Sequence, residues 1–507
     1  MNTPDKFKRI YPILAIALLM PLCLIPAVIA WIQGADAVLD VYSSVPNLIL
    51  LGNSVLFALI CAFAALLLGL PGAYLIAKYD FRFKGLFRWL FPFLMLLPTS
   101  ILALSLKPIF QSAFFAKMPA LIPVGIVLVL SNTPLYIYFV GSRWIFLDEN
   151  CEDCSRTLGA KAVKTFLSVT TPRLRSELVF SFSLAFIRCF SDISVFKILG
   201  DGSVFVNSST KTYLLWQTGN QSAAQVLSLS SVIICLIALF VMFLDSWKSK
   251  SEEKHMRSVR GFVPVLLTIV YLLASFVVFA YPICFFLYKL LFADGTFSLA
   301  LPAVFASAEA VGTKSMIYSA IIALASATLC TFMAKRLSFA VTRNGFSTIL
   351  AFLPLAFGAA ALGMGFSVTG KLLPFISPII LTILATAIRF IPVAVLVLLS
   401  AILGIPEDFT DVSKTLGFSG RSSFFKIDSK LLRPSVFESF FIVFMLSFGE
   451  FGTPSFIGGE TVPTQMIALL ESGDYNGAYA LAALLLLVCI AFYSVSFALN
   501  EKGTSNV

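Results

Sequence analysis

The heptapeptide Asp153-Cys-Ser-Arg-Thr-Leu-Gly159 recurs later in the same chain as Asp411-Val-Ser-Lys-Thr-Leu-Gly417. The offset of 258 residues is close to half of the 507-residue sequence, and Arg175 matches Arg433 at the same offset. Self-similarity at a fixed offset indicates two copies of one structural unit. Each copy places the motif in a charged loop between long apolar segments, so we expect the loop to act twice, on one side of a membrane.

The composition predicts an integral membrane protein. Hydrophobic residues make up 59% of the chain and charged residues 12%, and the mean hydropathy is +0.95. Such a chain has too much apolar surface for an ordinary soluble core, and a membrane helix needs about 20 residues. Six apolar windows fall in each half, which predicts an all-α fold of twelve transmembrane helices in two tandem six-helix units. The windows are 11–31, 53–77, 87–106, 119–141, 176–199, 223–244, 262–287, 314–334, 346–369, 374–404, 435–457 and 477–499.

The basic residues support this topology, because Lys and Arg concentrate in cytoplasmic loops. Of the 36 Lys and Arg, 27 lie in or next to the loops that share a side with both termini, seven lie in or next to the opposite loops, and Arg188 and Arg389 fall in the interior of windows. Both termini and both motifs are therefore predicted to be cytoplasmic. The net charge of +10 has this membrane explanation, and no basic tract interleaved with aromatic residues indicates nucleic-acid binding.

A polar stretch separates the two halves. Residues 246–260 (SWKSKSEEKHMRSVR) are predicted to form a cytoplasmic linker between a first unit, 1–245, and a second unit, 261–507. At the N-terminus, a basic start precedes about 21 apolar residues without an obvious cleavage site, which favours an uncleaved first helix over a secretory signal.

The nine cysteines do not form a disulfide framework, because most lie within apolar windows. Cys151 and Cys154 have a spacing that can bind zinc or cycle as a dithiol. No second such pair exists, the single histidine is His255 in the linker, and Val412 fills the slot of Cys154 in the second copy. A structural role for the pair is favoured.

The repeated loop has the pattern of a short helix, a turn and a second helix. Acidic residues precede the motif in both copies, which suits a helix N-terminus. Gly159 and Gly417 are expected to end the first helix, and Lys- and Phe-rich residues follow. The loop either caps two spans or inserts into a groove on a partner protein. Agreement of two copies at Ser, Thr, Leu and Gly favours the partner.

These residues resemble the EAA loop of permease subunits of binding-protein-dependent ABC importers. That pattern is Glu-Ala-Ala, three residues, Gly, nine residues, then Ile-x-Leu-Pro. Here Asp153, Ser155 and Gly159, with Pro172, match it in the first copy, and Asp411, Ser413 and Gly417 match it in the second. The departures are Asp for Glu in both copies, Thr171 for leucine in the first, and Ser429 and Lys430 for Leu-Pro in the second, with Pro434 displaced downstream.

The resemblance covers essentially the whole chain. Ala73-Tyr-Leu-Ile-Ala-Lys78 is similar to a signature that ends the first core span of this family, and two fused units resemble its iron(III) and thiamine branch. The resemblance implies coupling loops at about 148–175 and 405–434, two copies of a cytoplasmic ABC ATPase, a periplasmic or lipid-anchored solute-binding protein, and a bacterial inner membrane. No nucleotide-binding Gly-x-x-x-x-Gly-Lys-Ser/Thr motif occurs, so no cofactor is expected in this chain and ATP is expected to be used by the partner.

Ionisable residues inside spans are candidates for a translocation path, because burying them in lipid is costly. Asp192 and Glu450 are equivalent at the offset of 258, whereas Arg188 has Leu446 as its equivalent. We consider a path role for these two acids beside structural pairing or a location in an outer loop, with Arg188 and Arg389 as weaker candidates. Around Glu450, residues 449–458 are interrupted by Gly and Pro, and such a break favours a central site. Arg188 and Asp192 are four residues apart and are also able to neutralise each other.

Two other classes are weighed against the permease. An ion- or proton-coupled secondary transporter also has twelve spans, but the turn after the second span lacks the Gly-x-x-x-Asp-Arg arrangement. A membrane enzyme would need a catalytic constellation, and no such cluster is visible. Thiamine and ferric iron are the expected solutes, ahead of polyamine, sulfate and phosphonate. The two acids favour a cation.

Overall fold

The computed structural model describes residues 24–81, 84–112, 115–145, 147, 150–200, 207–243, 257–258, 262–293, 296–297, 312–341, 345–403 and 431–504. In this part of the chain the helices of the first half are α1 (Leu24–Gln33), α2 (Val38–Ser43), α3 (Val45–Lys78), α4 (Lys84–Leu96), α5 (Thr99–Phe110), α6 (Leu121–Ile145), α7 (Asn150–Thr157), α8 (Ala162–Thr165), α9 (Thr171–Arg173), α10 (Arg175–Ser191), α11 (Ser194–Leu199), α12 (Ser208–Gln217) and α13 (Gln221–Met242). Those of the second half are α14 (Phe262–Leu291), α15 (Gly312–Val341), α16 (Gly345–Leu372), α17 (Pro378–Leu403), α18 (Arg433–Phe448), α19 (Gly452–Ile457), α20 (Val462–Glu471) and α21 (Tyr475–Thr504).

The remaining elements are short. Single turns of 3-10 helix occupy Ala35–Ala37 and Phe115–Lys117, and a π-helical turn occupies Phe166–Thr170. The strands β1 (Tyr79–Asp80) and β2 (Arg257–Ser258) pair in parallel, and β3 (Phe292–Ala293) and β4 (Thr296–Phe297) pair antiparallel.

The all-α membrane fold in tandem units is confirmed. Eight helices of the described residues are long and apolar enough to cross a membrane, and up to ten if each of two bent pairs counts as one span. The predicted fifth and eleventh spans are α10 and α18, which have only 17 and 16 residues. Each is followed, after a short break, by a six-residue helix. The windows therefore located helices correctly, but they joined across these breaks.

The structure repeats in detail as well as in sequence. The bounds of α11 and α19 differ by the same 258 residues as the motifs. The third span is broken in both copies: α4 and α5 meet at 93° next to Pro98, and α16 is interrupted at Gly358, whose φ is 57°. Helices α12 and α20 lie between predicted spans. Hydropathy did not predict them, because each has only ten residues, too few to fill a spanning window.

Contacts divide the chain into two compact units that combine helices of both sequence copies. One unit contains residues 1–48, 208–236 and 286–507, and the other contains 49–207 and 237–285. In the first, Nε1 of Trp31 donates to Oγ of Ser228 at 3.1 Å, and the indole stacks on Phe357 with ring centroids 6.2 Å apart. The unit boundaries predicted from sequence, 1–245 and 261–507, describe the two sequence copies and stay a prediction. Of the linker 246–260, the structure describes only β2.

In the second unit, α14 packs into a notch on α3. The hydroxyl of Tyr271 donates to the carbonyl of Leu68 at 2.9 Å, and a Cβ placed on Gly72 would lie 2.6 Å from the Tyr271 ring. The absence of a side chain at Gly72 therefore permits the contact.

Gly72→Ala is expected to displace Tyr271 and lower stability by about 1–3 kcal/mol, because an added methyl group overpacks the notch. The measurement is the thermal midpoint of the detergent-solubilised protein. Gly52→Ala is the matched control, since Gly52 lies in the same helix with nothing within 4 Å of its added Cβ. Equal midpoints for the two variants would show that the notch does not constrain the packing.

Candidate functional site

The first repeated loop has the helix-turn-helix form predicted from its sequence. Helix α7 carries Glu152 and Asp153 in its first turn, where acids complement the helix dipole. It ends at Thr157, and two residues later Gly159 has a φ of +84°, in the left-handed region. The amide of Ala160 donates to the carbonyl of Ser155 at 3.1 Å, and that of Gly159 to Arg156 at 2.9 Å. This bond pattern is a Schellman motif, which fixes the exit direction of the chain.

The second helix of the loop is continuous in path but irregular in winding. It runs through α8, the π-helical turn and α9, and Pro172 is exposed in the first turn of α9. The hydroxyls of Ser155 and Thr165 lie 3.1 Å apart and join the two helices of the loop. Ser155 therefore has a structural contact inside the loop.

The outer surface of the loop is apolar in part. Leu158, Val163 and Leu167 are 88%, 70% and 60% exposed. Asp153 is also exposed, and its Oδ1 lies 3.8 Å from Nη1 of Arg156. Exposed aliphatic side chains next to charged ones are typical of a surface that docks on another protein.

The inner surface of the loop rests on a residue that the sequence reasoning did not single out. Glu152, not Asp153, is the buried acid of the first turn, and its carboxylate binds Lys78 at 2.9 Å and Thr170 at 3.0 Å. Beside it, Trp144 packs between Tyr74 and Phe166, with centroid distances of 5.4 and 5.8 Å. The available signal was the acidic run before the motif, which contains both carboxylates but does not reveal which one faces inward.

The predicted residues of the second loop, Asp411, Ser413 and Gly417, lie outside the described residues. In the first loop, Cys151 is half-buried, Cys154 is exposed, and neither forms a disulfide. The structure therefore gives geometry for one coupling loop of the two that the sequence predicts.

The two predicted path acids occupy the same structural position in their copies. Oδ1 of Asp192 accepts the amide of Val195 at 2.8 Å, and Oε1 of Glu450 accepts the amide of Thr453 at 3.1 Å. Each acid thus caps the short helix that follows the broken span. Asp192 also accepts a hydrogen bond from Thr99 at 2.7 Å.

The two arginines differ in their surroundings. Nη1 of Arg389 lies 3.2 Å from Oε1 of Glu450, whose side chain is only 9% exposed. The atoms are close enough for a charge contact, but the N–H direction does not satisfy a hydrogen bond. Arg188 instead donates to the carbonyl of Met95 at 3.2 Å. Neutralisation of Asp192 by Arg188, considered from the sequence, stays a prediction.

Comparison with known proteins identifies the family. Residues 65–250 and 253–506 each match the family "Binding-protein-dependent transport system inner membrane component". The chain belongs to this family. Both copies of the repeat are permease domains, and the repeated loop and the capped helices lie within them. The protein is thus a membrane permease component of an ABC importer. Members of this family are not themselves ATPases.

The relatives that resemble this permease are named for different solutes. The molybdate/tungstate transport system permease protein WtpB of Pyrococcus abyssi is 26% identical over 204 residues, which are 40% of this chain and 79% of the relative. The ferric transport system permease protein FbpB of Actinobacillus pleuropneumoniae is 29% identical over 118 residues, 22% of this chain and 17% of the relative. A protein of Prototheca wickerhamii named "Probable sulfate transport system permease protein cysT" is 25% identical over 203 residues, 38% of this chain and 79% of the relative. The first is therefore about half as long as this permease, and the second is longer.

Proposed function

We propose that this permease moves an inorganic ion into the cytoplasm by alternating access, in a bacterial inner membrane with both termini in the cytoplasm. Two copies of a cytoplasmic ABC ATPase drive it, and a periplasmic or lipid-anchored binding protein delivers the ion. The observation that carries the proposal is the duplicated loop, whose first copy exposes Leu158, Val163 and Leu167 on a helix-turn-helix. The excess of Lys and Arg on one side supports the orientation.

The loop at 148–175 and its sequence repeat at 405–434 are the proposed docking elements. The Schellman turn at Gly159 and the hydroxyl contact between Ser155 and Thr165 limit bending inside the loop. A rigid element transmits a displacement of its docking surface to the spans at its ends, whereas a flexible one absorbs it. Nucleotide-driven closure of the ATPase pair is thereby converted into movement of the permease helices.

The acids at the broken spans are proposed to line or support the path. A span that breaks within the membrane exposes backbone groups, which are tolerated only beside protein or a water-filled cavity. Asp192 and Glu450 satisfy these backbone groups in both copies. In the second copy Arg389 lies beside Glu450, and Ser131 occupies the equivalent position of the first copy, so the two copies contribute unequally to the path.

The solute is proposed to be an inorganic ion, in the form of ferric iron or of an oxyanion such as molybdate. The three relatives described above are named for molybdate and tungstate, ferric iron and sulfate. The sequence favoured a cation because of its two acids. In the structure, Glu450 is balanced by Arg389 and both acids cap helices, so their charge no longer distinguishes a cation from an anion. None of these three relatives is named for thiamine, the other expected solute.

Reconstitution tests the proposal. Reconstituted with its partner ATPase and binding protein, the permease is expected to accumulate radiolabelled ferric iron or molybdate in vesicles only when ATP is supplied, with thiamine as the comparison solute. An ion- or proton-coupled secondary transporter would not require an ATPase. Transport at full rate without ATP, or accumulation of thiamine alone, would contradict the proposal.

A further inference from the structure

An ion pair ties the end of α3 to the repeated loop. Lys78 is the last residue of α3, and its Nζ lies 2.9 Å from Oε2 of Glu152 in α7. The two side chains are 8% and 11% exposed, so water screens the pair poorly. Removing one partner of such a pair leaves an uncompensated charge, which is far more costly than losing a surface contact.

Thr170 adds a third segment to this contact. Its hydroxyl donates to Oε1 of Glu152 at 3.0 Å, and the residue is 3% exposed. The carboxylate of Glu152 therefore joins three segments: the end of α3, the first helix of the loop, and the π-helical turn in the second helix of the same loop. We call Lys78, Glu152 and Thr170 the loop lock.

The second copy keeps the chemistry of the loop lock with two members exchanged. At the offset of 258, Lys78 corresponds to Arg336, Glu152 corresponds to Thr410, and Thr170 corresponds to Asp428. A base, a carboxylate and a threonine hydroxyl are thus present in both copies. In the second copy the acid stands at the position equivalent to Thr170, and the threonine stands at the position equivalent to Glu152.

The second copy keeps the residue chemistry of some polar pairs near the loop and not of others. The hydroxyl pair of Ser155 and Thr165 has Ser413 and Ser423 at the equivalent positions, so its chemistry is also kept. In contrast, the nearby pair of Arg143 and Glu177, 3.5 Å apart, has the uncharged residues 401 and 435 as its equivalents. In sequence, the repeat therefore keeps the residue types that hold the first loop together and to α3, but not those of this neighbouring ion pair.

We infer that Lys78, Glu152 and Thr170 are positioning residues that lock the coupling loop to α3, so that movement of the docked loop is transmitted to that span. The inference rests on the proposed function. It requires only that one carboxylate lie between the base and the two loop helices, and either helix is able to supply it. The swapped positions of the acid and the threonine in the second copy follow from this requirement.

A double-mutant cycle tests the lock. Glu152→Thr leaves Lys78 without its carboxylate, and Thr170→Asp places a second carboxylate beside Glu152. The combination Glu152→Thr with Thr170→Asp puts the acid where the second copy has it. Backbone hydrogen exchange of residues 150–173 in the purified permease is expected to be about tenfold faster in each single variant and within about twofold of the parent in the combination, because local opening follows the loss of buried contacts.

Two further variants complete the design. Glu177→Gln, in the ion pair that the repeat does not keep, is the matched control and is expected to leave exchange in 150–173 unchanged. Where Glu152→Thr fails to insert, Glu152→Gln retains the size of the side chain and an acceptor for Thr170 while removing the charge. Exchange several-fold faster than in the parent is expected for it.

Affinity for the co-purified ATPase is the second measurement, and we expect it to weaken about tenfold in the single variants and to recover in the combination. Hydrogen exchange needs no ATPase, so it tests the lock even if the proposed function fails. A combination no better than its worse single variant would overturn the inference. The inference would also be overturned if hydrogen exchange followed the expected pattern across the variants while ATPase affinity stayed unchanged, since the lock would then play no part in docking.

Discussion

Gly159→Pro together with Gly417→Pro is expected to abolish ATP-driven uptake while the permease still inserts into the membrane. Proline fixes φ near −65°, whereas Gly159 has a φ of +84°. Proline also removes the amide that donates to the carbonyl of Arg156 at 2.9 Å. The turn must therefore reshape, and the docking side chains after it move. Gly417 occupies the matching position of the second motif.

The measurement is ATPase affinity by co-purification, together with uptake in vesicles. We expect affinity to fall by about a hundredfold, since backbone strain of roughly 1–3 kcal/mol applies to each loop. Gly219→Pro is the matched control, because Gly219 also ends a helix with a positive φ, of +86°, but lies outside the coupling loops. Normal uptake by the double variant would refute the docking role of the loops.

Arg389→Met is expected to destabilise the permease strongly, by about 3–5 kcal/mol, because it leaves the carboxylate of Glu450 buried without a counter-charge. The thermal midpoint in detergent should fall by about 5 °C or more. Adding Glu450→Gln removes the uncompensated charge while keeping an acceptor for the amide of Thr453. The combination is expected to recover at least half of the loss.

A surface ion pair in the same compact unit provides the control. Lys314 and Glu460 lie 3.1 Å apart, but their side chains are 66% and 52% exposed. Lys314→Met should therefore change stability by less than about 1 kcal/mol. If Arg389→Met is as mild as this control, or if Glu450→Gln brings no recovery, the pair does not hold the broken span in place.

The repeated pattern made the helical fold and the first loop predictable. Apolar windows of about 20 residues locate spanning helices because lipid offers the backbone no hydrogen bonds. Gly159 indicated the end of α7, since glycine adopts positive φ without steric cost. The Gly- and Pro-interrupted sequence 449–458 indicated the break before α19. The break before α11 was not predicted, because hydropathy averages over an acid that caps a helix inside an apolar stretch. Likewise, Glu152 and Asp153 are adjacent acids, and sequence spacing alone did not show which one is buried.

By itself, the sequence determined that this protein is a duplicated helical membrane permease, which side of the membrane its loops are predicted to face, and where the first loop turns. These properties depend on local composition, charge counts and glycine, which act over a few residues or one span. Only the tertiary structure decided that Glu152 reaches Lys78, that Arg389 meets Glu450 and that α14 packs on α3. Those contacts join residues far apart in the chain, and their partners are set by how side chains fill space between packed helices.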